Sequence, residues 1–362
     1  MRIMHLLNHT YRLNGHVHAA VDLACEQRRL GHEVCIASGG GDFDELLASN
    51  HVATRIVNHE RKPLTVLRSV ATLKHHVNEW KPDVIHAHMM TSAVFAYPVC
   101  KLSGIPLVTT VHNEFEKSAI LMGLGTRVIA VSESVSRSMQ QRGISAKKLH
   151  VVLNGTIGTA RFANRQAAPA DLAHPSILFV GGLHPRKGVV DLIQAFKTVH
   201  ATYPAARLFI VGGGPMGEEY RELARQTGCG DAITFVGSLE DPYPYMLAAD
   251  IFVLPSLADP APLVISEARE ARCAIIGTKV DGIPQLLEFG EAGILVPPSA
   301  PEMLAAALAD LLADPATLRE WQEKSQIRID NLTIERVALE TTTVYRSAMA
   351  KPKFIGATRQ AV

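Results

Sequence analysis

The chain has 362 residues, 47% of them hydrophobic and 20% charged, with a formal net charge of +1 at pH 7. That length predicts two domains, and that composition is of an ordinary globular protein, which excludes a disordered or low-complexity polypeptide. No apolar run approaches the ~18 residues of a transmembrane helix, and five cysteines without a paired spacing argue against a disulfide framework.

Arg2–Leu7 predicts a first strand, too short an apolar run for a signal peptide. A polar loop, Asn8–Gly15, leads into a predicted helix over His16–Leu30, ended by Gly31-His32. Glu33–Ala37 is the next strand, so the order strand–helix–strand implies a parallel α/β sheet. Asp42-Phe43-Asp44 has the spacing of a DxD metal motif, but it sits directly before Glu45-Leu46-Leu47, where acids fit a helix N-terminus. Arg61–Trp80 reads as a helix in which Lys62, Arg68, Lys74 and His75-His76 interleave with Val66, Leu67, Val70, Leu73 and Val77. Such a helix is either the solvated outer layer of the domain or a surface for an anionic membrane. Val84–His88 is a strand with His86 and His88 on one face. No third metal ligand stands at a telling spacing, which leaves a cleft-lining or a structural role. Ile105–Val111 ends in His112-Asn113-Glu114, Arg127–Val131 runs into a helix cap at Ser132, and Leu149–Leu153 enters the turn Asn154-Gly155.

Ala160–Pro175 is rich in Ala and Pro and is expected to link the domains. Charge changes across it: residues 1–160 hold 17 Lys and Arg against 12 Asp and Glu, and residues 161–362 hold 19 against 23, so the parts carry +5 and −4. The asymmetry fits an anionic substrate or surface beside the first part, or two ordinary domains. Ser176–Val180 predicts a strand, followed by Gly181-Gly182, Arg186, Lys187 and Gly188 before an amphipathic helix. Glycines at such a point let backbone amides approach an anion, and the two cations would reinforce it; plain solvation is the alternative. Arg207–Val211 leads into Gly212–Gly217, whose glycine count matches a dinucleotide fingerprint. That reading requires an acid at the end of the next strand, Ala232–Val236, where Gly237-Ser238 stands instead. Ile251–Leu254 is a strand, then come Pro255-Ser256, Asp259-Pro260, a helix carrying Glu267, and the strand Ala274–Gly277. Positions eight apart return close to one helical face, and an ionised carboxylate only accepts, so it suits vicinal hydroxyl donors. Asp259-Pro260 as a plain helix start is the alternative. Met303–Leu312 and Asn331–Met349 predict helices, and Lys351–Val362 a frayed tail.

In order and spacing, these motifs resemble the retaining family 4 glycosyltransferases of the GT-B fold, most strongly over residues 176–300. The family's acidic motif is Glu, seven residues, Glu, Ala; here Asp259 stands in the first place and Glu267-Ala268 in the second. The resemblance implies an α/β protein with two Rossmann-like domains facing a central cleft. Residues 1–160 would bind the acceptor and 161–332 the nucleotide-sugar donor, with a helix over about 333–350 crossing back to the first domain. It implies that Glu267 holds the ribose, that Asp259 and His112 orient the sugar, and that Lys187, helped by Arg186, offsets the diphosphate charge. Gly15, Gly181, Gly182, Gly212 and Gly214 would border the donor phosphates, Val236 the base, and the amides near Leu263 and Val264 the leaving group. Departures are Gly182 where the family has Arg, Asp259 for Glu, Arg272-Cys273-Ala274 where it prefers Gly-x-Pro, and Thr156-Ile157 after Asn154-Gly155.

The implied reaction is retaining transfer from a nucleotide-diphosphate sugar to a saccharide or lipid-linked acceptor, without metal or cofactor, as in bacterial cell-envelope polysaccharide or lipopolysaccharide synthesis. A cytoplasmic enzyme is expected, with peripheral contact at the inner membrane surface and no nucleic-acid partner. The rivals are a degenerate member that binds nucleotide or glycan without transfer, and an NAD-dependent oxidoreductase.

Overall fold

Two all-parallel sheets organise the computed structural model, which describes residues 1–350 apart from 13, 61 and 164–167. The first is built from β1 (Arg2–Leu6), α1 (Gly15–Arg29), β2 (Glu33–Ser38), α2 (Asp44–Ser49), β3 (Ala53–Ile56), α3 (Pro63–Trp80), β4 (Val84–Ala87), α4 (Met90–Ser103), β5 (Leu107–Val111), β6 (Arg127–Ala130), α5 (Glu133–Gln141) and β7 (Leu149–Val151). Its strand order is β3-β2-β1-β4-β5-β6-β7. The second comprises β8 (Ser176–Val180), α6 (Val189–Thr202), β9 (Arg207–Val211), α7 (Gly217–Gln226), β10 (Ile233–Gly237), α8 (Tyr243–Ala248), β11 (Ile251–Leu254), α9 (Leu263–Glu270), β12 (Ala274–Thr278), α10 (Ile283–Leu286) and β13 (Ile294–Val296), followed by α11 (Pro301–Ala313), α12 (Pro315–Lys324) and α13 (Ile334–Met349). Its order is β10-β9-β8-β11-β12-β13. Both orders reverse once, at β1/β4 and at β8/β11, and ligands of such sheets bind outside the carboxyl ends of the strands at that reversal.

Helices on both faces bury these strands, so the central ones are continuous apolar runs rather than alternating ones. β8 (SILFV) and β11 (IFVL) are buried at every position. α13 returns to the first sheet as expected. Its Tyr345 is fully buried with Ile3, Val84, Val108 and Ile129, and Arg127 Nε donates to Ser347 Oγ at 3.2 Å. The walls of the cleft also touch directly: the Glu133 N–H donates to Gln285 Oε1 at 2.9 Å and Asn154 Nδ2 to the Ala261 carbonyl at 2.9 Å.

Within the Ala/Pro-rich stretch after 160, Ala160–Phe162 form a half-buried turn that carries the Arg161 side chain, itself 9% exposed. In α3, Leu73 and Val77 are buried, while Leu64 and Leu67 are each 70% exposed. Asp259 caps no helix, because the N-cap of α9 is Pro262 and the Asp259 side chain is bonded elsewhere. Arg272, where the resemblance prefers Gly, sits just after α9 with φ +61, the left-handed region that glycine enters most cheaply. The tail over 351–362 and the predicted helix start at Arg61 lie outside the described residues.

Candidate active site

The donor-side wall begins where β8 ends. Gly181 through Lys187 loop over the sheet edge, and Gly188, at φ +66, starts α6. A Cβ on Gly188 would stand 1.9 Å from the Pro255 carbonyl oxygen, so only glycine lets this loop lie against the one after β11. That close approach brings Lys187 to Asp259. The Lys187 Nζ donates to Asp259 Oδ2 at 2.5 Å, and Ser256 Oγ donates to the same oxygen at 3.3 Å. Both partners are buried, and the Asp259 N–H is held by Asp281 Oδ2 at 2.7 Å. Burial pushes the Asp281 carboxyl up, and the Asp259 charge adds to it.

Of the glycines expected to border the donor phosphates, Gly181 and Gly212 have their N–H groups bonded within the protein. The Gly181 N–H is bound to the Val211 carbonyl at 3.0 Å and the Gly212 N–H to Gly237 at 2.8 Å. A Cβ on Gly212 would lie 1.9 Å from the Gly181 oxygen, and one on Gly214 2.5 Å from the Leu183 oxygen. These glycines therefore lock the β8 and β9 loops together beneath the site. Gly182 is half-buried beside the His184 ring. Arg186 is exposed, donates to the Ala258 carbonyl at 3.4 Å, and lies 5.6 Å over the Phe115 ring of the opposite wall. Leu263 and Val264 form the first turn of α9, whose leading N–H groups have no intrahelical partner. Val236 is half-buried near the end of β10.

Glu267 is buried in α9, with its Oε1 3.9 Å from Arg161 Nη2. Arg161 in turn binds Asp22 of α1 through Nε and Nη2, each at 2.7 Å. Thr159 and Thr156 donate to the same carboxylate at 2.5 and 3.2 Å. Burial works against the Arg161 charge, but the Asp22 and Glu267 charges outweigh it and hold that pKa above its ordinary value. The sequence carried no signal for this cluster, because Asp22 and Arg161 are 139 positions apart.

On the opposite wall, His112 follows β5 and lines a cavity of about 150 Å³ with His16, His88, Asn8, Asn113 and Glu116. Gly15 opens α1, after the loop that follows β1, and is exposed, with open space around it. Glu114 is buried with Oε2 unpaired among the described residues, and burial, then the Asp281 charge, raises its carboxyl pKa.

Beneath the cavity the two histidines of β4 diverge. His88 lines it, but His86 is fully buried, bonded to Tyr345 and Thr110, and does not line the cleft. A third histidine, His5 of β1, brings ring nitrogens of His5, His86 and His88 within 4.8 Å of one another. The register of parallel β1 and β4 pairs His5 with His86, which sequence spacing cannot reveal.

Comparison with known proteins decides the family. The family described as "Glycosyl transferases group 1" matches residues 160–328, and "Glycosyltransferase Family 4" matches 13–156. Glycogen synthase of Mycobacterium tuberculosis (strain ATCC 25618 / H37Rv) is 30% identical over 296 residues, covering 74% of this chain and 70% of the relative. The chain belongs to the family 4 glycosyltransferases. The enzyme is also 26% identical to phosphatidyl-myo-inositol mannosyltransferase of Mycolicibacterium smegmatis, over 96% of this chain and 94% of that one. Its fold matches the Anabaena protein Alr3699/HepE, solved in complex with UDP, with a TM-score of 0.81 and 20% identity over 96% of this chain and all of that one. The GT-B fold is thereby shown. The glycine run after β9 belongs to a glycosyltransferase and not to an NAD-dependent oxidoreductase.

Proposed function

We propose that the enzyme transfers a sugar with retention from a nucleotide-diphosphate donor to a saccharide or lipid-linked saccharide, in bacterial cell-envelope polysaccharide or lipopolysaccharide synthesis. The observation that carries the reading is the buried Lys187–Asp259 pair at the shared carboxyl edge of β8 and β11, beside α9 and Glu267. Lys187, with Arg186 and the leading amides of α9, lies where a departing diphosphate would gather charge; fixed donors aimed at such charge are usually the largest catalytic contribution. Glu267 accepts from the ribose hydroxyls, and Asp259 and His112 orient the sugar. The bond from the anomeric carbon to the phosphate oxygen breaks, the acceptor oxygen bonds that carbon on the same face, and its proton passes to the leaving phosphate. No metal or cofactor enters this proposal. Relatives named for mannosyl and glucan synthesis, and a structural neighbour solved with UDP, support a nucleotide-sugar donor.

The test is thermal shift with UDP, GDP and ADP. One diphosphate is expected to stabilise the wild type, by about 2.7 kcal/mol at a hundred times its Kd, and to lose that effect in Glu267→Ala. An equal shift in the variant would remove Glu267 from the site.

The enzyme is further proposed to work at the cytoplasmic membrane face. No helix of the described residues is long and apolar enough to cross a membrane. Leu64 and Leu67 of α3 stand exposed beside exposed Arg68 and Lys74, and Ile56 of the adjoining β3 is 65% exposed. Vesicles with anionic lipid are expected to sediment the wild type, with the L64Q/L67Q/R68E variant left in the supernatant. Equal sedimentation of both would overturn the contact.

A further inference from the structure

The histidines under the cavity form one hydrogen-bonded chain. His112 Nε2 meets His88 Nδ1 at 3.2 Å, His88 Nε2 meets His5 Nδ1 at 2.8 Å, and His5 Nε2 meets Gln27 Oε1 at 2.8 Å. Gln27 also starts a second arm. Its Nε2 donates to the Tyr345 hydroxyl at 3.3 Å, which meets His86 Nδ1 at 2.6 Å, and His86 Nε2 meets Thr110 Oγ1 at 2.7 Å. Every ring nitrogen of His5, His86 and His88 is thus engaged, and all three rings are buried. Burial, the largest cause for each ring, lowers His5 to about 4 and His112 to about 3, and lowers His86 and His88 well below the ordinary histidine value. The groups facing them add to this: His16 for His112, and His5, His86, His112 and His16 around His88.

Neutral imidazoles each carry one N–H and one lone pair, so in a chain the proton positions are not independent. Gln27 Oε1 only accepts, so His5 carries its proton on Nε2 and offers Nδ1. His88 must then donate from Nε2 and accept at Nδ1, and His112 must donate from Nε2. His112 Nδ1, which has no partner among the described residues, is left as a lone pair on a ring that lines the cavity. Turning the Gln27 amide over would reverse every bond in both arms together. The Tyr345 hydroxyl and the imidazoles can each donate or accept, so the orientation of the Gln27 amide selects between the two directions.

We propose that Gln27 is a positioning residue which, through His5 and His88, fixes the proton of His112 on Nε2 and presents Nδ1 to the sugar as a hydrogen-bond acceptor. The inference rests on the donor-sugar role given to His112 above. It selects hydroxyl donors at that point and disfavours phosphate oxygen, which only accepts. It also reads the three-histidine cluster as a closed proton-ordered chain in place of a metal centre.

The experiment is nitrogen-15 NMR of histidine-labelled enzyme, without donor, from about pH 5 to pH 8. The expected spectrum shows His112 neutral throughout with its proton on Nε2. In Gln27→Leu, and in the volume-conserving Tyr345→Phe, His112 is expected to populate both tautomers. Transfer is expected to fall about tenfold, the scale of one hydrogen bond, while binding of the preferred nucleoside diphosphate is unchanged. A His112 proton on Nδ1, a charged His112 in this range, or an unchanged single tautomer in both variants would overturn the proposal. Stoichiometric zinc uptake that shifts His5, His86 and His88 would also overturn it, in favour of a metal site. Failure of every nucleoside diphosphate to bind, with the tautomers as expected, would count against the donor reading alone.

Discussion

Lys187→Ala is expected to lower kcat about 10²- to 10³-fold, or ~3–4 kcal/mol of transition-state stabilisation. It should also destabilise the fold, because Asp259 would remain buried with Ser256 as its sole side-chain donor among the described residues. Removing one partner of a buried pair costs about 3–5 kcal/mol, largely from the charge left behind. The two effects separate in the double variant Lys187→Ala/Asp259→Asn. Its unfolding midpoint is expected to recover most of the loss, since neither buried charge remains, while turnover stays low. Initial rates and urea midpoints on the four members of this cycle give the comparison. Turnover that recovered along with stability would show that Lys187 serves only to neutralise Asp259, and the leaving-group role would fall.

The pair also shows what sequence could and could not supply. The strands that carry the site, β8, β9 and β11, are legible to the residue, because each holds a run of four apolar residues. β3 was not, since its edge position leaves Ala53, Thr54 and Ile56 exposed and removes the pattern. α4 was also invisible: it is apolar on most sides and holds Pro98 in its interior, so neither periodicity nor propensity marks it. At the site, Lys187, Asp259 and Glu267 were found as members of local motifs. The meeting of Lys187 with Asp259 was not, because it depends on the glycine contact between two loops 72 positions apart. His5 escaped for the same reason, since parallel pairing of β1 with β4 brings together residues that sequence distance separates. Rejecting Asp259 as a helix cap needed coordinates, for the local sequence satisfies that reading equally well.

Arg161→Met is the other substitution with a large expected effect, and it acts where no local motif exists. Asp22 is 1% exposed and accepts four hydrogen bonds, two from the Arg161 guanidinium and two from Thr156 and Thr159. Without Arg161 the two hydroxyls remain, and an uncompensated carboxylate stays buried between α1 and the connection to the second sheet. The expected loss is about 3–5 kcal/mol, a large part of the ~5–15 kcal/mol that holds a domain together. Asp22→Asn in the same chain should restore much of it, which a urea midpoint will read. Donor binding gives the second readout. Arg161 Nη2 stands 3.9 Å from Glu267 Oε1, so the guanidinium ties the first domain's α1 to the carboxylate proposed for the ribose. The double variant, stable but without that tie, is expected to bind the preferred nucleoside diphosphate about tenfold more weakly, the scale of one charge-assisted contact. Wild-type affinity in the stable double variant would confine Arg161 to folding. Weakened affinity would mean that the connection between the sheets takes part in positioning Glu267.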